Sequence, residues 1–357
     1  MAYVPPTTHV TLLATLQRER LLPAPGEVVV QENQRVDAST IIARVTLAKQ
    51  HRLVDIARQL GVPANQVDAF MVKHEGDLVK KDELLATRRE LFLPHDILSP
   101  VEGLLLAVGE GKALIAVAEP PLELRAGMPA TVIKVIPDYG VTLETTGALL
   151  EGVWGNGQEA FGVIRVVGAG LATPLTPELI ETELRGTIIA VGVLQDTATF
   201  AKLAEVGTRG LVIGSLHADL IPEVQKLSMP VLVIEGFGIQ GFSQPAYTLL
   251  VGSSGREAWA NAQSWNRFTG RRPEVIIPLP SSGQTPGSPV NGDALKEGVK
   301  VRVVRGTEAG RVGQVVSLST EAMFTASGVR ARLAFVKFEE SEEPPTPIPF
   351  ANLEILE

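Results

Sequence analysis

Short apolar runs, each ended by a glycine or proline turn, dominate this chain and restrict it to folds assembled from many brief strands. Its 34 glycines and 25 prolines supply the turns, and Val, Ile and Leu supply the strands. At 357 residues, roughly two or three domains with conventional apolar cores are expected. The 45% apolar and 20% charged content is that of a globular protein. Cysteine is absent, which excludes disulfides, thiolate zinc sites, iron–sulfur clusters and a cysteine nucleophile together. The opening Met-Ala-Tyr-Val-Pro-Pro has no basic region followed by an apolar core. The most apolar stretch, Leu104–Ala118, is broken by Gly109, Glu110, Gly111 and Lys112. The expectation is a cytoplasmic protein without a signal sequence, a membrane partner or a cofactor. A formal charge of −8 argues against general attraction to nucleic acid, so any such contact must be local.

Residues 10–120 read as β-structure with one helical interruption at Gln50–Leu60, where Leu53, Ile56, Ala57 and Leu60 follow helical spacing before Gly61 and Pro63. A strand–turn–strand phrase occurs at Leu22–Val45 and again at Phe70–Ala86 followed by Ser99-Pro100-Val101-Glu102-Gly103. These two half-motifs, near 22–45 and 70–118, resemble the barrel-sandwich hybrid fold of biotinyl, lipoyl and membrane-fusion-protein domains. Carrier members of that family hold a modifiable lysine on the intervening hairpin tip. Here Thr87–Asp96 has no lysine, so the resemblance implies a scaffold without covalent biotin or lipoate. The β-pattern continues through Ala130–Val135, Gly140–Thr145 and Gly162–Val167, placing the end of a first domain near 170.

Strands and helices then alternate. Thr187–Val193, Gly210–Gly214 and Pro230–Ile234 read as strands, and Thr197–Val206 and Asp219–Leu227 as helices, which indicates βαβ units and a small parallel sheet over 171–278. The stretch Arg185–Ile213 resembles protease-associated and swivelling α/β domains, which are mostly interaction modules. Ser281–Pro289 has linker composition, and a tether is expected over 279–292.

The clearest motif follows, in the domain expected at 293–357. Val299, Val301 and Val303 alternate with Lys300 and Arg302, and Gly306, Gly310, Gly313 and Val315 hold a characteristic spacing. This segment resembles the KOW motif of transcription-elongation factors and ribosomal proteins, which implies a small SH3-like β barrel closed by Ala331–Phe338 and Pro349–Leu356. Such barrels bind RNA or proteins, or serve as structural caps. Ala294–Lys337 holds eight basic and three acidic residues, a net of +5, leaving −13 for the rest of the chain. Lys300, Arg302, Arg305, Arg311, Arg330, Arg332 and Lys337 are therefore the candidate contacts to RNA or to a transcription or translation partner. No aromatic precedes Phe324 among them, which offers little for stacking on single-stranded bases.

Gly236-Phe237-Gly238-Ile239-Gln240-Gly241 matches the dinucleotide fingerprint and follows a strand, making Gly236, Gly238 and Gly241 candidate cofactor contacts in an alternative reading. The context expected around it is unfavourable, because Phe242–Pro245 intervenes and Tyr247–Val251 reads as extended instead of helical. His9, His51, His74, His95 and His217 show no metal-binding spacing. Ser215, His217 and Asp219 are too close in sequence for a catalytic triad, and Asp219 is expected to cap the next helix.

The fold class expected is thus multi-domain β and α/β: a barrel-sandwich-hybrid-like β domain, a small parallel α/β domain and a C-terminal SH3-like barrel. The expected role is non-enzymatic binding or scaffolding. A nucleotide- or small-molecule-binding enzyme and a homo-oligomeric assembly component are the alternatives. A deep cleft lined with converging ionisable groups in the central region would count against the non-enzymatic reading.

Overall fold

The computed structural model describes residues 3–47, 50–89, 94–118, 120–266, 270–279, 287, 289, 294–339 and 342–356. The chain is mostly β, arranged in several sheets. Eleven strands form the largest. Its parallel part consists of Glu159–Val166, Thr187–Leu194, Gly210–Leu216 and Val231–Phe237, each beside its predecessor. Thr187–Leu194 and Gly210–Leu216 are buried at every position, as strands covered on both faces must be. Glu159–Val166 also pairs with Glu257–Asn261, which passes the sheet on through Glu274–Pro278 to the long strand Gly140–Glu151. That strand in turn pairs with Ala130–Ile136 and with Val10–Leu21.

One continuous sheet therefore runs across the boundary expected near 170. The N-terminus crosses units as well, because Thr7–Thr8 pairs in parallel with Leu353–Leu356 in the C-terminal sheet before Val10–Leu21 enters the central one. The two lipoyl-like phrases do not pair with each other. Ile41–Val45 pairs with Glu27–Val28 and with Leu122–Arg125, and the chain between these partners folds into a unit of its own. That unit holds a four-stranded sheet ordered His51–Asp55, Lys112–Val117, Gly103–Gly109, Leu78–Val79, and a separate hairpin of Leu84–Arg89 with Pro94–Leu98. Its core is Val54, Ile56, Leu60, Val67, Leu85, Ile97, Leu105 and Ile115.

Three local expectations need correction. The helix expected at Gln50–Leu60 is a strand, His51–Asp55, followed by the helix Ile56–Leu60. Pairing with Lys112–Ala116 claims the first half, and Asp55 caps the remainder by accepting from the Arg58 N–H. Tyr247–Val251 is not extended but lies within the helix Gln244–Gly252, whose first turn accommodates Pro245. Asp219 sits inside the 3₁₀ turn Ala218–Leu220 and makes no side-chain cap.

The C-terminal sheet has the order Thr7–Thr8, Leu353–Leu356, Lys300–Val303, Val312–Leu318, Leu333–Phe338, Thr346–Pro349. Pro349–Leu356 is not one closing strand. A 3₁₀ turn at Phe350–Asn352 divides it, its two parts pair with different neighbours, and among the described residues no ladder joins the edge strands Thr7–Thr8 and Thr346–Pro349. Gly313 lies where two strands cross closely, since a Cβ there would meet the Lys337 carbonyl oxygen at 2.5 Å. The tether expected at 279–292 lies almost wholly outside the described residues. No helix among those described is long and apolar enough to cross a membrane.

Candidate functional site

The alternating strand Lys300–Val303 was expected to turn Lys300 and Arg302 to solvent as a basic outer face. For Arg302 the structure shows the reverse: the residue is 1% exposed. Its guanidinium lies between the carboxylates of Glu235, at the end of a central parallel strand, and Glu354, on the neighbouring C-terminal strand. At Arg302 the sheet face expected to meet water instead meets the α/β unit, while Lys300 on the same face stays partly exposed. Burial disfavours the charge, yet the two carboxylates outweigh it and hold Arg302 above its ordinary range.

Most of the other candidate cations are also engaged within the chain. Lys300 pairs with Glu339 at 2.8 Å. Arg311 pairs with Glu308 at 2.5 Å and stacks on Phe338. Lys337 donates to the Glu343 carbonyl. Arg332 is exposed, but its guanidinium lies over the Phe350 ring and reaches the Ser319 carbonyl. Arg305 and Arg330 are exposed. Arg330 stands opposite Phe324 in the two-stranded hairpin of Met323–Phe324 with Arg330–Ala331.

Gly238 and Gly241 lie between the strand Val231–Phe237 and the helix Gln244–Gly252, as a phosphate loop would, whereas Gly236 is still within the strand. Ser215, at the end of the adjacent strand, donates its hydroxyl to the Gly238 and Gln240 carbonyls, so this serine is spent on shaping the loop. The loop between Lys300–Val303 and Val312–Leu318 lies across the glycine turn, with the Gln240 side-chain amide donating to the Ala309 carbonyl at 2.8 Å. A cavity of about 340 Å³ between them is lined by residues that include Ser243, Arg311 and Phe338. At the mouth of the helix a carboxylate is already in place, because Glu235 accepts the N–H of Ser243, the residue that precedes it, at 2.8 Å. A carboxylate already placed there opposes a second anion. Gly241 has a packing role: a Cβ on it would come within 2.1 Å of the Leu171 carbonyl oxygen.

The Arg302 cluster continues as a buried polar chain. Glu354 accepts the Thr8 hydroxyl at 2.9 Å, and Arg272 donates to that hydroxyl at 2.8 Å. Arg272 also lies over the Trp265 ring and borders a cleft of about 370 Å³ in the central sheet. In this cleft Arg18 holds Glu274 at 2.7 Å through Nε, with a second contact at 2.5 Å through Nη2. Arg20 holds Glu159 at 2.6 Å and lies over the Trp259 ring, and Arg271 pairs with Glu19 at 2.6 Å. Glu151 stands opposite Glu274 in the strand register and accepts the His9 backbone N–H at 2.9 Å. Burial lifts the Glu151 carboxyl above the usual carboxylate range against the pull of His9 and Arg272, and neighbouring Glu274 adds to the rise.

Converging ionisable groups in a central cleft are what was set to count against the non-enzymatic reading, and they are present. Their pairing decides what they can do. Each arginine of the cleft already has a carboxylate, hydroxyl or ring partner, so an incoming ligand would have to displace an internal ion pair. The sequence reading missed Arg18, Arg20, Glu151, Glu235, Arg272, Glu274 and Glu354. A usable signal was there in Leu149-Leu150-Glu151 and Glu274-Val275-Ile276-Ile277. A single acid adjoining an apolar strand run needs a buried partner, because an unpaired charge there is too costly.

No family model matches the chain, and no curated protein matches it. Among solved structures, it is similar to the RNA-processing inhibitor RraA from Thermus thermophilis at 15% identity. That similarity covers 38% of this chain and 87% of the other, with a TM-score of 0.24.

Proposed function

We propose that this chain is a non-enzymatic binding or scaffold protein whose C-terminal sheet, read as a KOW-type SH3-like unit, contacts a protein partner in preference to RNA. The N-terminal part is read as a barrel-sandwich hybrid interrupted by an inserted β-unit. The observation that carries the functional reading is the hairpin around Met323–Ala331. Phe324 is 74% exposed, Val329 59% and Met323 46%, with Arg330 alongside. Most of the other basic candidates are tied to groups of the same chain. An apolar knob with a cationic margin fits a partner surface that is apolar at its centre and acidic at its rim. A broad phosphate-contacting face would need cations free to release counterions, and here Lys300, Arg302 and Arg311 are paired with carboxylates.

The test is site-specific photo-crosslinking of the full chain in native extract, with a benzophenone side chain in place of Phe324 and, as a control, in place of Leu12. Leu12 is 70% exposed on the central sheet. A discrete protein adduct from position 324 alone is expected. Equal adducts from both positions, or adducts only to RNA, would refute the reading. The enzyme alternative gains the polar cleft, and against it stands the Glu235 carboxylate beside the glycine loop, where it accepts the Ser243 N–H.

A further inference from the structure

The inserted unit of residues 51–117 carries a second surface that the hairpin reading does not use. Its four-stranded sheet buries Val54, Leu105, Ala113 and Ile115 on one face. Cross-strand register places leucines on the other. Leu78 pairs with Leu104, Leu104 with Ala116, and Ala116 with His51. One step along, Leu53 pairs with Leu114. Laterally paired residues share a face, as do residues two apart on one strand. Leu53, Leu78, Leu104 and Leu114 therefore lie on one face, joined at the bulge by Leu106. Leu78 is 76% exposed, Leu53 56%, Leu106 41% and Leu104 37%. A half-buried antiparallel strand ordinarily turns polar residues to water, and this face reverses that pattern across three strands.

We infer that this leucine face is a homodimer interface, occupied by the same face of a second copy across a two-fold axis. The occupant is argued from area and charge. The four exposures amount to about two fully exposed leucines, an apolar patch on the order of 400 Å². A stable interface buries about 800 Å² per partner, with an apolar core inside a polar rim, so the patch is of the right size to be that core. The rim carries both signs, with Lys80 and Lys112 exposed beside Glu102 and Glu110. A mixed rim can complement a copy of itself, whereas a partner of one dominant charge would call for a rim of one sign.

Two experiments on the full chain test this. Light scattering coupled to size exclusion at about 100 μM should give twice the 38.1 kDa chain mass, and the double variant Leu78→Glu, Leu104→Glu should give the single mass with an unchanged circular dichroism spectrum. Because the chain has no cysteine, Leu104→Cys supplies a unique thiol. A bismaleimide of about 10 Å span should link it into a covalent dimer, while Leu12→Cys should stay monomeric. A monomeric native chain at that concentration, or a dimer that survives the double glutamate variant, would overturn the inference. So would a chain that stays monomeric and binds lipid vesicles through this face.

Discussion

Replacing Arg302 by methionine separates an internal joint from an outward-facing basic patch. In the native chain the Arg302 side chain is 2% exposed, and those of Glu235 and Glu354 are 3% and 4% exposed. The substitution preserves much of the volume and leaves two carboxylates buried without their shared cation. Breaking a buried pair from one side costs about 3–5 kcal/mol. At roughly 2–4 °C per kcal/mol for a unit of this size, the midpoint should fall by about 10 °C. A solvent-facing arginine would cost under about 0.5 kcal/mol. Thermal and urea unfolding followed by circular dichroism measures the difference, and the loss should persist from 0.1 to 1 M salt because the pair is shielded from counterions. The triple variant Glu235→Gln, Arg302→Met, Glu354→Gln removes the stranded charges and should recover most of the loss. A loss below about 1 kcal/mol for Arg302→Met, or a loss that shrinks steeply with salt, would show that the residue acts at the surface.

Three further outcomes follow from the cleft and the glycine loop. Burial raises the Glu151 carboxyl in the folded state, so between the ordinary carboxylate value, about 4.3, and its raised value the folded chain holds more protons than the unfolded one. Its contribution is therefore complete below that window and is lost as pH rises through it. Glu151→Gln should flatten the stability–pH curve there and unfold no more easily at pH 8, whereas lower stability at pH 8 with the slope intact would contradict the assignment. Gly241→Ala should destabilise by about 1–3 kcal/mol through its clash with the Leu171 backbone. A nucleotide panel should leave the native midpoint unmoved, and a nucleotide-dependent shift lost in Gly238→Val would restore the phosphate-loop reading.

What could be read from the sequence was whatever is decided locally. The apolar-rich runs read at Thr187–Val193 and Gly210–Gly214 lie in the strands Thr187–Leu194 and Gly210–Leu216, and the alternation at Lys300–Val303 marks a strand as well, because the periodicity of side chains along a strand is a local property. Gly207 ends the helix Ala198–Val206 in the left-handed conformation that glycine adopts readily. Errors arose where distant segments decide. Leu53 fits a helical stripe and a strand equally well, and only pairing with Leu114 resolves it as strand. Pro245 suggested a break but occupies a first helical turn, where its missing N–H costs nothing. Alternation told which residues of Lys300–Val303 share a face but not that the face of Arg302 meets another module.

The charge asymmetry of the sequence acquires a different cause from this arrangement. A segment of +5 within a chain whose remainder is −13 suggested affinity for an external polyanion. In the folded chain part of that counter-charge comes from the acidic remainder itself: Glu235 from the central sheet, and Glu339 and Glu354 from the flanks of the segment. Opposite charges on separate modules can fix how those modules meet, and the cations engaged that way are withdrawn from solvent. Among the exposed apolar surfaces of the described residues are the Phe324 hairpin and the leucine face. Association through an apolar core depends weakly on ionic strength, whereas phosphate contacts weaken steeply with it. If the basic segment is an internal joint, whatever this protein binds should remain bound as salt is raised.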